Sequence, residues 1–372
     1  MTKKILCLAF ALLLICATFV ACDSGDDTGA STTVATTTTI NNNSNGGNGG
    51  NGGNGGGEPS LTPSGYSDGL KYSGYSELTV EGIGSCNDTD IRIPPTYDGK
   101  PVVAVAQGAF KNCKNIKSVT MTDSIISIGY EAFSGCSALE SITLPWVNED
   151  THGTFQSSHG LFGFIFGINA YDGGTKVTQF YRTHTNQAVT QYTVDFYIPS
   201  NLKTVTVIAD KVWNKGVGEA AFSGCTMIET VKLPDDGSVS SYMFYGCTSL
   251  KSVNIPSDQS SKIIWDCAFY GCSSLQSISI PSHIEEIGYG AFDGCSSLAN
   301  VTLPSSLKEI GDSAFSGCAS LTSISIPSRV TEMGSSVFYG CTNLASIYVN
   351  TTRSATEDWG SRWSGDAQVH YN

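Results

Sequence analysis

Residues 272–294 read CSSLQSISIPSHIEEIGYGAFDG, and residues 295–317 read CSSLANVTLPSSLKEIGDSAFSG. The two stretches have the same length and the same order of Cys, Leu, two branched aliphatic residues, Pro, Ile-Gly, Ala-Phe and Gly. The pattern returns with the same 23-residue spacing at Cys318 and Cys341. Self-similarity at a fixed period is the signature of a repeat protein, so this unit decides the fold.

The spacing inside the unit predicts short strands. Ile278 and Ile280 are two residues apart, so their side chains point to the same face of an extended segment. Pro281 follows directly, and proline lacks the N–H that a longer strand would need. The Ile-Gly pair predicts a second short extended piece that ends in a turn, and the Ala-Phe pair places one large ring in the core. Stacking such units at the ~4.8 Å strand spacing gives a β-solenoid with short strands and no long helices.

Further copies of the unit extend toward the N-terminus, although one of them is disguised. The Cys positions of the recognisable copies are Cys86, Cys113, Cys136, Cys225, Cys247, Cys272, Cys295, Cys318 and Cys341. The interval between the third and the fourth of these is not a multiple of the repeat. Leu202, Val205 and Val207 fit a unit whose Cys position is occupied by Pro199. Counting this unit predicts ten turns, with a total rise of about 45 Å.

The disguised unit leaves an insertion at about 146–198 that is rich in aromatic residues. An insertion that breaks a regular array is the natural place to look for specific binding. The alternative is that its rings form a small private core over the solenoid, and a short helix at 162–166 would bury most of the Phe side chains there. The candidate ligand-binding residues are Phe162, Phe164, Phe166, Tyr171, Tyr181 and Tyr192.

The repeat motif resembles the BspA-like leucine-rich repeat family of bacterial surface proteins. The resemblance rests on L-x-x-I-x-I-P followed by I-G-x-x-A-F-x-G-C, and it covers most of 90–348. The sequence departs from the better-known leucine-rich repeat because it lacks an Asn ladder, with His283, Ser306 and Arg329 at that position. The resemblance implies a right-handed leucine-rich-repeat coil over 86–349. It also implies an extracellular binding or adhesive role without catalysis.

Both ends of the array need caps, because an exposed repeat face would aggregate. Leu78, Val80 and Ile83 alternate with other residues and predict an N-terminal β-hairpin cap over 66–85. At the other end, Tyr348-Val349 is predicted as the last strand, and the tryptophans of 350–372 would supply the bulk of a C-terminal cap.

The N-terminus predicts export and lipid attachment. Lysines at positions 3 and 4 precede an apolar run, which is the order of a secretory signal over 1–21. Ala21-Cys22 resembles the lipobox of bacterial lipoproteins, with Phe19 where Leu is usual, and this implies lipidation of Cys22. An ordinary signal peptide with a chance Cys is the alternative. The acidic, Thr-rich and Asn/Gly-rich residues 22–65 predict a disordered tether.

Composition and motifs argue against several classes of function. The 372 residues carry 20 Lys and Arg against 33 Asp and Glu, a net charge of −13, which disfavours nucleic-acid binding. No nucleotide-binding, hydrolase or zinc motif occurs in a meaningful context, so we expect no cofactor, no metal and no enzymatic activity. His152 and His159, with Glu149 and Asp150, leave a metal or acid/base site in the insertion as a weaker alternative.

One cysteine per unit predicts a buried ladder of small apolar side chains. Disulfides between neighbouring coils are the alternative, since export and an even count of ten cysteines after Cys22 would permit them. We favour free thiols, because a regular stack needs no covalent bonds and the position occupied by Pro199 tolerates another residue.

Together these observations predict a lipoprotein anchored in the cell envelope, on the outer surface of a bacterial cell. Its expected partners are the membrane, through the lipid anchor, and an extracellular protein or glycan ligand, and the chain is expected to be monomeric. A periplasmic structural scaffold and a glycan-capture accessory protein are the alternatives that the sequence leaves open.

Overall fold

The computed structural model describes residues 61–145, 161–185, 188–208, 218–259, 261–352 and 356–371. These residues lie in one compact unit, Gly57–Asn372. The described residues contain no α-helix, and none of their helical segments is long and apolar enough to cross a membrane. The predicted lipidation site, Cys22, and the candidate residues His152 and His159 lie outside the described residues.

The described residues form 22 strands, most of which are very short because the repeat leaves little room between turns. In chain order the strands are β1 (Lys71–Ser73), β2 (Leu78–Gly82), β3 (Asp90–Arg92), β4 (Thr96–Tyr97), β5 (Lys100–Val105), β6 (Ser118–Thr120), β7 (Ser127–Ile128), β8 (Ser141–Leu144), β9 (Gly174–Thr185), β10 (Ala188–Pro199), β11 (Thr204–Val207), β12 (Thr230–Lys232), β13 (Ser252–Val253), β14 (Ile263–Ile264), β15 (Ser277–Ser279), β16 (Glu286–Ile287), β17 (Asn300–Thr302), β18 (Glu309–Ile310), β19 (Ser323–Ile326), β20 (Glu332–Met333), β21 (Ser346–Val349) and β22 (Gln368–Tyr371).

The first ladder of the solenoid contains one strand from every turn, and all its pairs are parallel. β3, β6, β8, β11, β12 and β13 form a six-stranded sheet, and β15 with β17 and β19 with β21 and β22 form its later segments. Each residue of a strand lies opposite the corresponding residue of the next repeat, as Ile278 lies opposite Val301. Val205 of β11 lies opposite Ile142 of β8 and Val231 of β12, which confirms the disguised unit. The predicted β-solenoid is therefore confirmed.

The array has about eleven turns, one more than the sequence predicted. The prediction ended the array at Tyr348-Val349, but β22 pairs in parallel with β21, with Val369 opposite Ile347. Trp363 occupies the position of the residue before the next phenylalanine, since its C=O accepts a hydrogen bond from the N–H of Phe338 at 3.0 Å, as the C=O of Val337 does from the N–H of Phe315. This turn escaped the count because it has Ser364 in place of the Phe and Ala367 in place of the cysteine.

The short strands that end at the Ile of the Ile-Gly pair form a second ladder between coils. β5 with β7 begins it, and β14, β16, β18 and β20 form a four-stranded parallel sheet. Ile287 lies opposite Ile264 on one side and Ile310 on the other, and all three are buried. A side chain at the glycine after Ile310 would collide with the coil before it, because a Cβ on Gly311 would lie 2.7 Å from the carbonyl carbon of Gly288.

The Ala-Phe turns form a third column of hydrogen bonds between coils. The N–H of Phe292 donates to the C=O of Ala314 at 2.8 Å, and the same bond recurs along the array. The residue two before each Phe adopts a left-handed conformation, as at Ser313 with a φ of 57°. The Phe rings stack in a continuous ladder, with centroids 5.2 Å apart between Phe292 and Phe315. This ladder is the centre of the core.

All ten described cysteines are free thiols, as the sequence favoured. Six of these thiols donate to the C=O of a Phe in the preceding coil, for example from Sγ of Cys295 to Phe269 at 3.2 Å. Burial raises the pKa of Cys136 and that of Cys247 to about 12. The C=O of Phe269 also accepts from the N–H of Cys272 in its own coil at 3.1 Å, so the thiol fills a small buried space and gives this carbonyl group a second hydrogen bond.

The N-terminal end of the array begins with an antiparallel hairpin of β1 and β2. β2 continues into the solenoid through parallel pairing with β5. The outer edge of β3 is closed by Ser67, whose N–H donates to the C=O of Arg92 at 2.9 Å and whose hydroxyl accepts from the N–H of Arg92 at 3.0 Å. The first strand of the ladder is thus not left open to pairing.

Candidate functional site

The insertion consists of a short 3-10 helix and a long antiparallel hairpin. The 3-10 helix spans Phe162–Ile165, where the sequence analysis considered a short helix. The hairpin pairs β9 with β10 over their full lengths, from Gly174 opposite Pro199 to Thr185 opposite Ala188. It is the longest pair of strands in the described chain and the only feature there that departs from the repeat at this scale.

Phe162 and Phe166 lie in the core and offer no surface to a ligand. They bridge the gap that the insertion makes in the Phe ladder. Phe166 lies 6.5 Å from Phe133 in the coil before, and Phe162 lies 5.1 Å from Phe222 in the coil after. Both rings are buried, so their assignment as ligand-binding candidates gives way to a structural role. The alternative of a private core over the solenoid is close to this result, but these two rings belong to the main core.

Phe164 and Tyr171 are also engaged by the body of the protein. The ring of Phe164 is partly buried and lies 5.2 Å from that of Tyr130. The hydroxyl group of Tyr171 is buried and has no hydrogen-bond partner in the described part of the chain. Burial raises the pKa of Tyr171 accordingly. Both residues are partly buried and are held by these contacts.

The side chain of Gln179 joins the hairpin to the solenoid. The amide is fully buried, and its Nε2 donates to the C=O of Ala221 at 2.9 Å and to that of Ser223 at 3.2 Å. Its Oε1 accepts from the N–H of Gly163 at 2.7 Å. Gln179 therefore supplies hydrogen bonds that a regular preceding coil would make, and it fixes the base of the hairpin.

A buried carboxylate holds the start of the insertion. Glu131 accepts from Nζ of Lys111 at 2.5 Å and from Nδ2 of Asn169 at 2.7 Å. Its own side chain is 8% exposed, and the hydrogen bond from Lys111 lowers the pKa of the carboxyl group. The insertion is thus tied to the solenoid at both the 3-10 helix and the hairpin.

Tyr181 and Tyr192 are the two predicted residues that the structure leaves at the surface. They lie directly opposite each other in the hairpin, and their rings stack with centroids 5.3 Å apart and an interplanar angle of 19°. Tyr192 is 46% exposed. We call these two residues the tyrosine pair. It is a rigid aromatic surface on an element that is anchored at its base.

Sequence reasoning missed an aromatic contact that supports the tyrosine pair. The ring of Phe180 packs edge-on against Tyr242 at 5.4 Å and against Tyr245 at 5.9 Å. Tyr245 in turn stacks on Tyr270 at 4.7 Å. These tyrosines follow or precede the repeat Phe by one or two residues, and that recurrence was the available signal. The contact fixes the middle of the hairpin against the flank of the solenoid.

The described residues contain no group of three or more His, Cys, Asp or Glu that could hold a metal ion. Burial raises the pKa of the Asp293 carboxyl group to about 6. Ser316 and the N–H of Gly294 donate hydrogen bonds to it. The arrangement at the tyrosine pair offers stacking and hydrogen bonding to a ligand, which is the chemistry of recognition.

The comparisons with known proteins agree with the repeat described above. The chain matches the BspA type leucine rich repeat region in 6 copies, over residues 84–170, 165–264 and 262–359. No curated protein matches the sequence.

Several solved structures are similar. A leucine-rich repeat protein from Bacteroides ovatus is 19% identical, with 82% of this chain and 98% of that chain covered and a TM-score of 0.29. A leucine rich cell surface protein from Faecalibacterium prausnitzii is 19% identical over 84% of this chain and 95% of that one, with a TM-score of 0.31. The pneumococcal vaccine antigen PcpA is 18% identical over 82% and 87%, also with a TM-score of 0.31. The repeats and the family match together show that this chain belongs to the BspA type leucine-rich repeat family.

Proposed function

We propose that this protein is a lipid-anchored binding protein of the bacterial cell surface, which uses the tyrosine pair to contact an extracellular protein or glycan. The observation that carries the proposal is the stacked pair of Tyr181 and Tyr192 on a hairpin that breaks the repeat. Repeats of this family generally serve as non-catalytic binding scaffolds, which supports a role in recognition.

The physical support for the contact site is its rigidity together with its exposure. Tyrosine offers a large apolar ring and a hydroxyl group, and it loses little conformational entropy when it binds. Stacking already restricts both rings, and Gln179 and Phe180 fix the strand that carries Tyr181. A ligand therefore meets a preorganised surface, which lowers the cost of association.

The binding test uses the body of the protein, 57–372, on arrays of extracellular-matrix proteins and glycans. Deleting the hairpin is a poor probe, because Val177, Gln179 and Phe196 at its base are buried and their loss would open the core. The double variant Tyr181→Ala/Tyr192→Ala removes only the tyrosine pair. Tyr75→Ala is the matched control, since Tyr75 is 92% exposed on another hairpin.

Binding that is lost in the double variant and retained in the control supports the tyrosine pair as the contact site. Removing one well-packed aromatic contact costs about 2 kcal/mol or more in an interface, so a fall in affinity of at least about thirtyfold is expected. Binding that survives the double variant would move the site to the repeat faces. Binding by neither the parent nor the control would favour the periplasmic scaffold instead.

The anchoring part of the proposal rests on Cys22 and the tether over 22–65. Stable attachment of a protein to a membrane needs two lipid chains, and diacylation of one cysteine provides both. Replacing Cys22 with Ser is expected to release the protein from the membrane fraction. Protease treatment of intact cells then separates the two locations, because a surface protein is cut and a periplasmic one is protected.

A further inference from the structure

We propose that the outer edge of β10 pairs with the same edge of a second copy of this chain. The two strands would run antiparallel around a two-fold axis at Thr193 and join two hairpins into one four-stranded sheet. Three observations carry the proposal: the edge is unpaired, its side chains are complementary to themselves, and it lacks the residues that normally protect an edge. The protein would then be a dimer and not the monomer expected from the sequence.

Two hydrogen bonds near the end of β10 show in which direction its N–H and C=O groups point. The N–H of Ser200 donates to the C=O of Gly173 at 2.8 Å and so continues the pairing between β10 and β9. The N–H of Tyr197 points the other way and donates to the C=O of Gly167 at 2.9 Å. Backbone groups alternate in direction along a strand, so the odd-numbered residues of β10 face outward.

The outward groups beyond Tyr197 have no partner in the described part of the chain. They are the N–H and C=O groups of Gln191, Thr193 and Asp195, and no backbone hydrogen bond to them is present outside the hairpin. An unpaired strand edge is a template for pairing with another chain. The base of the edge is already closed by Gly167, which limits any added strand to this middle segment.

Antiparallel pairing around Thr193 brings compatible side chains together. Thr193 would lie opposite its own copy, and Thr–Thr pairs across strands are favourable. Tyr192 would lie opposite Val194 of the second copy, which is a favourable pair of an aromatic and a β-branched residue. Gln191 would lie opposite Asp195, so no like charges meet. This self-complementarity favours a second copy over an unrelated extended peptide.

The edge also lacks the usual protection against pairing. Natural edge strands carry lysine, proline or a bulge, whereas 191–198 contains no Lys, Arg or Pro. Asp195 is the charged residue of this segment, and its charge is balanced by Lys176 at 2.8 Å within the same hairpin. A two-stranded ribbon is marginally stable, and a sheet of three or more strands is much better. Isologous pairing closes after two copies, so it gives a dimer without further growth.

Sedimentation of the body, 57–372, over a wide concentration range tests the proposal. The wild-type protein is expected to shift from monomer to dimer as its concentration rises. Thr193→Lys would place two positive charges directly opposite each other at the two-fold axis, and dimerisation should weaken at least about tenfold. Thr342→Lys is the matched control, because Thr342 is exposed on the solenoid and the charge change is the same.

A mixture of two variants distinguishes pairing at this edge from damage to the fold. Thr193→Lys and Thr193→Glu should each be monomeric alone, and their mixture should recover the dimer because opposite charges then meet. Thermal unfolding of each variant should match that of the wild type. A wild-type protein that remains monomeric at all concentrations would overturn the proposal. So would a dimer that Thr193→Lys leaves intact, or a mixture that does not recover.

Discussion

The stability of the array depends on pH through one partly buried carboxyl group, that of Asp293. Burial raises its pKa to about 6, while Ser316 and Gly294 donate hydrogen bonds that oppose the shift in part. A carboxyl group with a raised pKa in the folded state stabilises the fold most below its unfolded pKa. This contribution is lost as the pH rises through about 6, because the folded protein must then hold a charge that it solvates poorly.

Replacing Asp293 with Asn is expected to stabilise the protein at pH 7.5 and to have little effect near pH 4. The gain should be about 1 kcal/mol, since the group is partly exposed and solvent reduces the effect of burial. Urea unfolding of the body at the two pH values measures the difference. Asp236→Asn is the control, because Asp236 is exposed and the charge change is identical. Equal effects of Asp293→Asn at both pH values would contradict this account.

Gly311 tests how tightly two coils approach. A Cβ at this position would lie 2.7 Å from both the carbonyl carbon of Gly288 and the nitrogen of Tyr289, and neither backbone atom can move without disturbing the second ladder. Gly311→Ala is expected to lower the free energy of unfolding by about 1–3 kcal/mol. Gly237→Ala, where the nearest atom is 3.3 Å away, should cost less. If denaturant unfolding shows that Gly311→Ala and Gly237→Ala lower the free energy of unfolding by similar amounts, the close approach of the coils at Gly311 does not matter for stability.

At the scale of the element, the hairpin depends on one amide. Gln179→Leu would leave the C=O of Ser223 and the N–H of Gly163 buried without partners, and the C=O of Ala221 would keep only its bond from the N–H of Phe162. Each unsatisfied group costs about 1–3 kcal/mol, so we expect a loss of several kcal/mol and faster hydrogen exchange throughout β9 and β10. Gln276→Leu is the control, since Gln276 is exposed on the repeat. Slow exchange in the hairpin of the Gln179 variant would disprove its anchoring role.

The repeating elements could be predicted from the sequence because each one obeys a local rule. Alternating aliphatic residues before a proline predicted the first ladder, and the Ile-Gly pair predicted the second. The same rules located the disguised unit at Pro199 despite the missing cysteine. β22 was missed because Ser364 stands where the motif has Phe and Ala367 stands where it has Cys, so the motif no longer revealed the turn.

The insertion could be predicted only in outline, since its structure depends on contacts far apart in the sequence. Its aromatic composition drew attention to six rings, but composition does not distinguish a ring in the core from one at the surface. Phe162 and Phe166 are buried because they continue a ladder whose other members come from neighbouring coils. Tyr181 and Tyr192 stay at the surface because the hairpin extends beyond Gln179. No local pattern contains that information.

At the scale of the whole molecule, the array is a chain of nearest-neighbour contacts. Each coil is held by two short ladders, a column of turn hydrogen bonds and stacks of Phe and Cys from the adjacent coils. The insertion preserves this continuity by providing substitutes for each missing contact, with Phe162 and Phe166 for the rings and Gln179 for the backbone. A long hairpin can therefore be added without splitting the solenoid into two independently folding halves.

The thiols report on the integrity of the whole array. All ten described cysteines are free, and all but Cys113 are buried. Burial raises the pKa of Cys113 as well, but its partial exposure gives a reagent access. At pH 8 the folded body should show one fast-reacting thiol with a chromogenic disulfide reagent, and guanidinium should expose all ten without added reductant.

Two variants assign the phases of this reaction. Cys113→Ser should remove the fast phase, whereas Cys295→Ser should leave it unchanged and reduce only the total seen in guanidinium. Fewer than ten thiols in the unfolded, unreduced body would show that disulfides link the coils, contrary to the structure. Several fast thiols in the folded body would show that the coils separate readily. The solenoid would then be held by contacts much weaker than its continuous ladders of Phe and Cys require.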